Sequence, residues 1–207
     1  MHAAFPRFTN EIDQVMKHSF NISEASVLLD RIGGKLLAKG MAFLLELVFG
    51  LLVLKDLPDK SKKFFDENFV IVDPDAVGGK RYYQGKFLIR TKKHDDDMNV
   101  LLKFCPDPDE LFIGSPSTEV VNPLAVVSTK TLTEKKADKI EKNPDKVDLV
   151  IRFKDVESIM QLLKRPDTDM VGLLLENLVQ LTGNVGHLFK IGAIAANVEQ
   201  ALDLPKF

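Results

Sequence analysis

The sequence predicts an α+β fold: a five-stranded, mostly antiparallel sheet covered by helices, with an N-terminal helical extension. Three observations carry this. Residues 1–75 hold apolar runs too long for strands, residues from about 80 onward hold short runs that alternate at a period of two, and helical spacing returns after residue 155. The chain therefore divides into a helical extension over 1–75 and a sheet-containing domain over 80–207. Residues 116–146 read as an insertion in that domain.

The first helix start is Asn21 with Glu24 three residues later, a capping-box spacing ahead of a long apolar run. Gly33-Gly34 or Gly40 is expected to break or kink that run, because glycine costs about 1 kcal/mol in a helix interior. Its most apolar part, Met41 to Leu54, is about 14 residues or roughly 21 Å of helix, against roughly 30 Å of bilayer hydrocarbon. It also contains Glu46 and is flanked by Lys39 and Lys55. A helix buried on most of its circumference is expected, rather than one that spans a membrane. Leu57-Pro58-Asp59 ends it, and a shorter helix follows over 61–68.

Strands begin near Tyr82. Phe87, Ile89 and Thr91 alternate with Leu88 and Arg90, and Met98, Val100, Leu102 and Phe104 share one face of the next run. With the turns His94-Asp95-Asp96-Asp97 and Pro106-Asp107-Pro108-Asp109, and with Leu111-Phe112-Ile113 beyond, this predicts a three-stranded meander. Thr131 with Glu134 is a second capping-box spacing, before a charge-alternating segment expected to form a solvated surface helix. Leu149, Ile151 and Phe153 mark a fourth strand. Val156, Ile159, Met160 and Leu163 then fall on one helical face, Arg165-Pro166-Asp167 breaks the helix, and Met170 to Leu175 form a short apolar helical piece. Residues 178–182 form a fifth strand, Gly183-Asn184 a turn, and Val185 to Leu202 a closing helix.

This succession of strands and helices resembles the sterol carrier protein 2-like family. The resemblance is carried by Asp148 opening the fourth strand, Asp155 opening the helix after it, and the run from Leu178 to Ile191, in which Thr182-Gly183-Asn184 joins the fifth strand to an apolar helix. It covers 148–202 well, 82–114 weakly and 1–75 not at all. One departure is Glu176-Asn177, where the family commonly has glutamine and glycine; asparagine still suits a left-handed backbone. Periodicity alone assigns the apolar residues of this half to a core. The resemblance implies that they line a tunnel between the sheet and the last helix. The residues concerned are Phe153, Ile159, Met160, Leu163, Leu173, Leu174, Val179, Leu181, Leu188, Phe189, Ile191 and Ile194. Small residues on the closing helix, Gly192, Ala193, Ala195 and Ala196, would leave room beside it for a ligand or for a closely packed neighbour, and His187 is either a polar contact at the mouth or an ordinary exposed helix residue. The implied function is non-catalytic binding and transfer of a long apolar ligand such as a fatty acyl chain, sterol or isoprenoid. The alternative is a ligand-free interaction or dimerisation module that uses the apolar helix 41–54.

Composition narrows the partners. A net charge of −2 provides no long-range field for nucleic acid, so a nucleic-acid partner is not expected. Membrane contact is expected only as a transient event during delivery, and a homodimer is compatible with the pattern. Cys105 is the single cysteine, which fits a reducing compartment. The N-terminus lacks the pattern of a secretory signal and the C-terminus that of a peroxisomal address, so a cytoplasmic location is expected. His94 with Asp95-Asp96-Asp97 sits in a turn without the spaced ligands of a closed metal site. No nucleophile–base spacing is visible, so neither a metal, a cofactor nor an enzyme is expected.

Overall fold

A computed structural model of the chain describes residues 33–55, 58–93, 96–113, 120–159 and 174–201. The expected Asn21 helix start lies outside them. Helix α1 (Gly34–Lys55) begins at the predicted glycine pair and continues through Gly40. Its first residue has to be glycine for a steric reason: a Cβ on Gly34 would fall 1.7 Å from the carbonyl oxygen of Asp96. Lys35 pairs with Asp97 at 2.7 Å in the same place. Helix α2 (Pro58–Phe69) starts on proline, whose missing N–H costs nothing at a helix N-terminus.

A two-stranded ribbon, β1 (Val70–Val72) with β2 (Lys80–Tyr82), leads into β3 (Lys86–Thr91) and β4 (Asn99–Phe104). A second ribbon pairs β5 (Phe112–Ile113) with β6 (Val120–Val121). After a single helical turn, α3 (Pro123–Val126), come β7 (Val127–Thr131), helix α4 (Glu134–Glu141), β8 (Leu149–Phe153), β9 (Val179–Gly183) and helix α5 (Gly186–Ala201). The main sheet has five strands in the order β7-β4-β3-β8-β9; β3 and β8 run parallel and the other neighbours antiparallel.

Two expectations need correction. Phe112-Ile113 is not the third strand of the sheet, because it pairs with β6 instead. The third strand is β7, inside the stretch 116–146 read as an insertion, so that stretch completes the sheet's edge. Its polar run Ser128-Thr129-Lys130-Thr131 hid it: an edge strand has one neighbour and does not need continuous apolar character. Its open edge is blunted by α1. Glu46 accepts from the Thr129 amide at 2.9 Å and from the Thr129 hydroxyl at 2.7 Å, which accounts for a carboxylate inside an apolar helix.

The helices of 34–69 are not a separate extension either. Leu37, Ala38 and Ala42 of α1 and Phe65 and Phe69 of α2 belong to the same core as Phe87, Val100, Leu102, Phe104, Leu149 and Ile151 on the inner sheet face. Phe69 meets Phe104 at 5.5 Å between ring centroids, and Phe65 stacks on Phe69 at 5.6 Å. Each such ring, fully buried, contributes on the order of 1.5–3 kcal/mol, and the sum removes any energetic boundary near residue 75.

The outer sheet face carries a smaller cluster, Leu88, Val150, Ala137 and Val147, and is covered by α4. This helix is not the solvated surface element its charge alternation implies. Glu134, Asp138 and Glu141, at i, i+4 and i+7, turn toward Arg90 of β3, which is only 4% exposed. The expected capping box does not form: Thr133 occupies the N-cap without a side-chain bond, and Glu134 reaches Arg90 and Asn99 instead.

Candidate functional site

The candidate site lies where β8, β9 and α5 meet on the inner face. Two sequence features set the geometry of the β9–α5 joint. Gly183 has φ +112°, and a Cβ there would stand 2.3 Å from the Asp148 carbonyl oxygen. Asn184 then donates its amide to that carbonyl at 2.9 Å, and its side-chain oxygen accepts from the Gly186 amide at 2.9 Å, starting α5. At the other end of β9, Asn177 has φ +56°, the left-handed backbone anticipated there. Asp148 accepts from the Lys86 amide at 2.7 Å and so ties β8 to the start of β3. Asp155 accepts from the amide and hydroxyl of Ser158, at 2.8 and 2.7 Å, and caps the helical turn 156–159. Burial pushes the Asp155 carboxyl upward, but these bonds, with Lys154 and Lys93 nearby, outweigh it and hold the group below its ordinary range.

Of the twelve residues expected to line a tunnel, Phe153, Ile159, Val179 and Ile194 are buried together in the inner core. Leu174, Leu181, Leu188 and Ile191 pack against that core while remaining half-buried. Met160, Leu163 and Leu173 lie outside the described residues. Phe189 does not line the site: it is 77% exposed, because α5 turns His187, Ile191 and Ile194 inward and carries residue 189 to the opposite side. Gly192 and Ala193 are also exposed, so these two small residues leave no room between α5 and the sheet. The described backbone of α5 comes close to α1, which itself runs along β7 and β4.

Polar groups gather at one end of this seam. The Tyr83 hydroxyl and His187 Nδ1 share a hydrogen bond of 2.7 Å, with the two rings stacked at 5.6 Å. The ammonium of Lys190 lies 5.8 Å from the centre of the Tyr83 ring. Burial, reinforced by the charge of Asp148, pushes the Tyr83 phenol well above its ordinary range, so it acts as a neutral hydroxyl. Burial also lowers the Lys190 ammonium. Farther along α5, Asn197 donates to Asn68 of α2 at 2.9 Å. His187 was legible as a candidate mouth residue; Tyr83 was not singled out, although it lies in phase with Phe87 and Ile89.

Cys105 is buried, and burial pushes its thiol up to about 12, which removes the thiolate needed for nucleophilic chemistry. Among the described residues no group of three or more His, Cys, Asp or Glu is placed to hold a metal, and no helix is long and apolar enough to cross a membrane. Comparison of the chain with protein-family models, with curated proteins and with solved structures gave no match.

Proposed function

We propose that the protein is a non-catalytic carrier that holds a long apolar molecule between the inner sheet face and α5. The observation that carries this reading is the half-buried apolar set Leu174, Leu181, Leu188 and Ile191, joined to a closed core on one side and to the Tyr83–His187–Lys190 polar group on the other. An apolar lining with a few convergent polar groups is what a small-molecule site requires. The succession from β8 through β9 to α5, and the roles of Asp148, Asp155 and Thr182-Gly183-Asn184, support a sterol carrier protein 2-like reading of this half. About 16 methylenes buried at roughly 0.8 kcal/mol each give on the order of 12 kcal/mol gross. Ordering and association costs leave micromolar-range retention. A cytoplasmic setting suits an unpaired buried cysteine.

The test is extraction of the purified full chain with organic solvent followed by mass spectrometry, with displacement of a fluorescent fatty acid in parallel. A co-purifying long-chain molecule and saturable displacement are expected. An empty extract with no displacement overturns the proposal. One observation favours a second reading, a dimer through α1: Leu36 and Phe43, at i and i+7, are 57% and 63% exposed. A monomeric mass by light scattering removes it.

A further inference from the structure

On the outer face of the sheet, opposite α5, a cavity of about 370 Å³ opens beside α4. Its charged lining comes from Arg90 and Lys92 at the end of β3, Arg152 of β8, and Asp138, Glu141 and Lys142 at the end of α4. These charges do not cancel evenly. Arg90 is the buried floor and pairs with Glu134, which also accepts from Asn99, and with Asp138. Glu141 is then a single carboxylate shared by two guanidiniums, with one oxygen on Arg90 at 2.7 Å and the other on Arg152.

Arg152 is the register partner of Arg90 on the parallel neighbour strand, so the two cations are held side by side by the sheet. Burial and the charge of Arg90 both act against the Arg152 guanidinium, the charge of Asp138 acts for it, and the group stays charged at working pH. Its other bond is to the Thr182 hydroxyl at 3.2 Å. Lys92 and Lys142 have no carboxylate partner among the described residues. Arg152, Lys92 and Lys142 thus approach one cavity from a strand, a loop and a helix end, and with Arg90 they set four cationic groups against the two carboxylates of the lining, Asp138 and Glu141.

We propose that this cavity is a binding site for a small molecule bearing a phosphate group. Arg152 spends one N–H on Glu141 and one on Thr182, its remaining guanidinium N–H groups are the donors for a phosphate oxygen, and the lysines act as point charges from other directions. The volume falls near the lower end of the range for small-molecule sites. Residues alternate to opposite faces along a strand, so Arg152 serves this cavity while Phe153 serves the inner core. The site is therefore independent of the carrier reading.

Isothermal titration of the full chain with inorganic pyrophosphate, at ionic strength held constant with sodium chloride, tests the proposal. One saturable site with sub-millimolar affinity is expected. A Lys92→Glu/Lys142→Glu variant reverses two solvent-facing charges and leaves the Arg90–Glu134–Glu141 network in place. It should melt at the same temperature without ligand and bind at least tenfold more weakly. Absence of saturable binding to the native chain overturns the proposal, and so does unchanged affinity in a variant that melts normally.

Discussion

At position 183 two separate demands meet on one residue. The backbone has φ +112°, where side chains other than hydrogen are rarely tolerated, and the Asp148 carbonyl occupies the place of a Cβ. Gly183→Ala should therefore cost about 2–3 kcal/mol, more than a propensity change alone. Part of that cost comes from losing the Asn184 amide bond to the same carbonyl. Urea denaturation followed by circular dichroism reads it, and a change below about 0.5 kcal/mol, within the range for neutral surface sites, would remove this account. Tyr83 and Cys105 make the opposite point about single residues. Both are shifted by burial away from ionisation, so their chemistry is that of a neutral hydroxyl and an inert thiol. What matters for Tyr83 is where its hydroxyl points.

Helix α4 shows how an element can be read correctly as a helix and wrongly as to its surroundings. Its acidic residues at i, i+4 and i+7 form a face, which the sequence displays plainly. Their partner, Arg90, is 44 residues away from Glu134 along the chain, and no local pattern announces that pairing. The same limit hid β7, whose partner β4 supplies the apolar residues that β7 lacks. By contrast β3, β4, β8, β9 and α5 were legible because each carries its own apolar period, and the β9–α5 turn because its glycine and asparagine answer local backbone needs. In the candidate site, periodicity found the core members Phe153, Ile159, Val179 and Ile194; it misassigned Phe189, since an apolar residue on a helix does not by itself specify the helix's rotation. The α4 arrangement predicts that Glu134→Ala destabilises the fold by about 1–3 kcal/mol, since Arg90 and Asn99 each lose a buried partner. Arg90 Nε and Asn99 Oδ1 already lack one, which leaves the network little slack. Amide hydrogen exchange should quicken in α4 and not in α1. Equal acceleration in both would mean that the ion pairs hold the whole fold rather than this helix.

On the scale of the whole molecule, the two faces of one sheet are closed by different physics. The outer face is latched by ion pairs around Arg90, and the inner face by apolar contact under α1, α2 and α5. On the inner side, two side-chain hydrogen bonds among the described residues tie α5 to other elements: His187 to Tyr83, and Asn197 to Asn68. If α5 is the movable wall of a carrier, these ties set how readily it opens, because apolar contacts with Leu188 and Ile191 reform wherever the helix settles. Tyr83→Phe combined with Asn197→Ala keeps the buried ring and removes both ties. Each hydrogen bond contributes about 0.5–1.5 kcal/mol net, so the pair should lower global stability by roughly 1–3 kcal/mol. The distinguishing outcome is kinetic. A bound fluorescent fatty acid should leave severalfold faster, and exchange protection should fall in α5 while β3 and β4 keep theirs. An unchanged off-rate together with uniform loss of protection would make α5 part of the rigid core, and the ligand's path would then have to lie elsewhere.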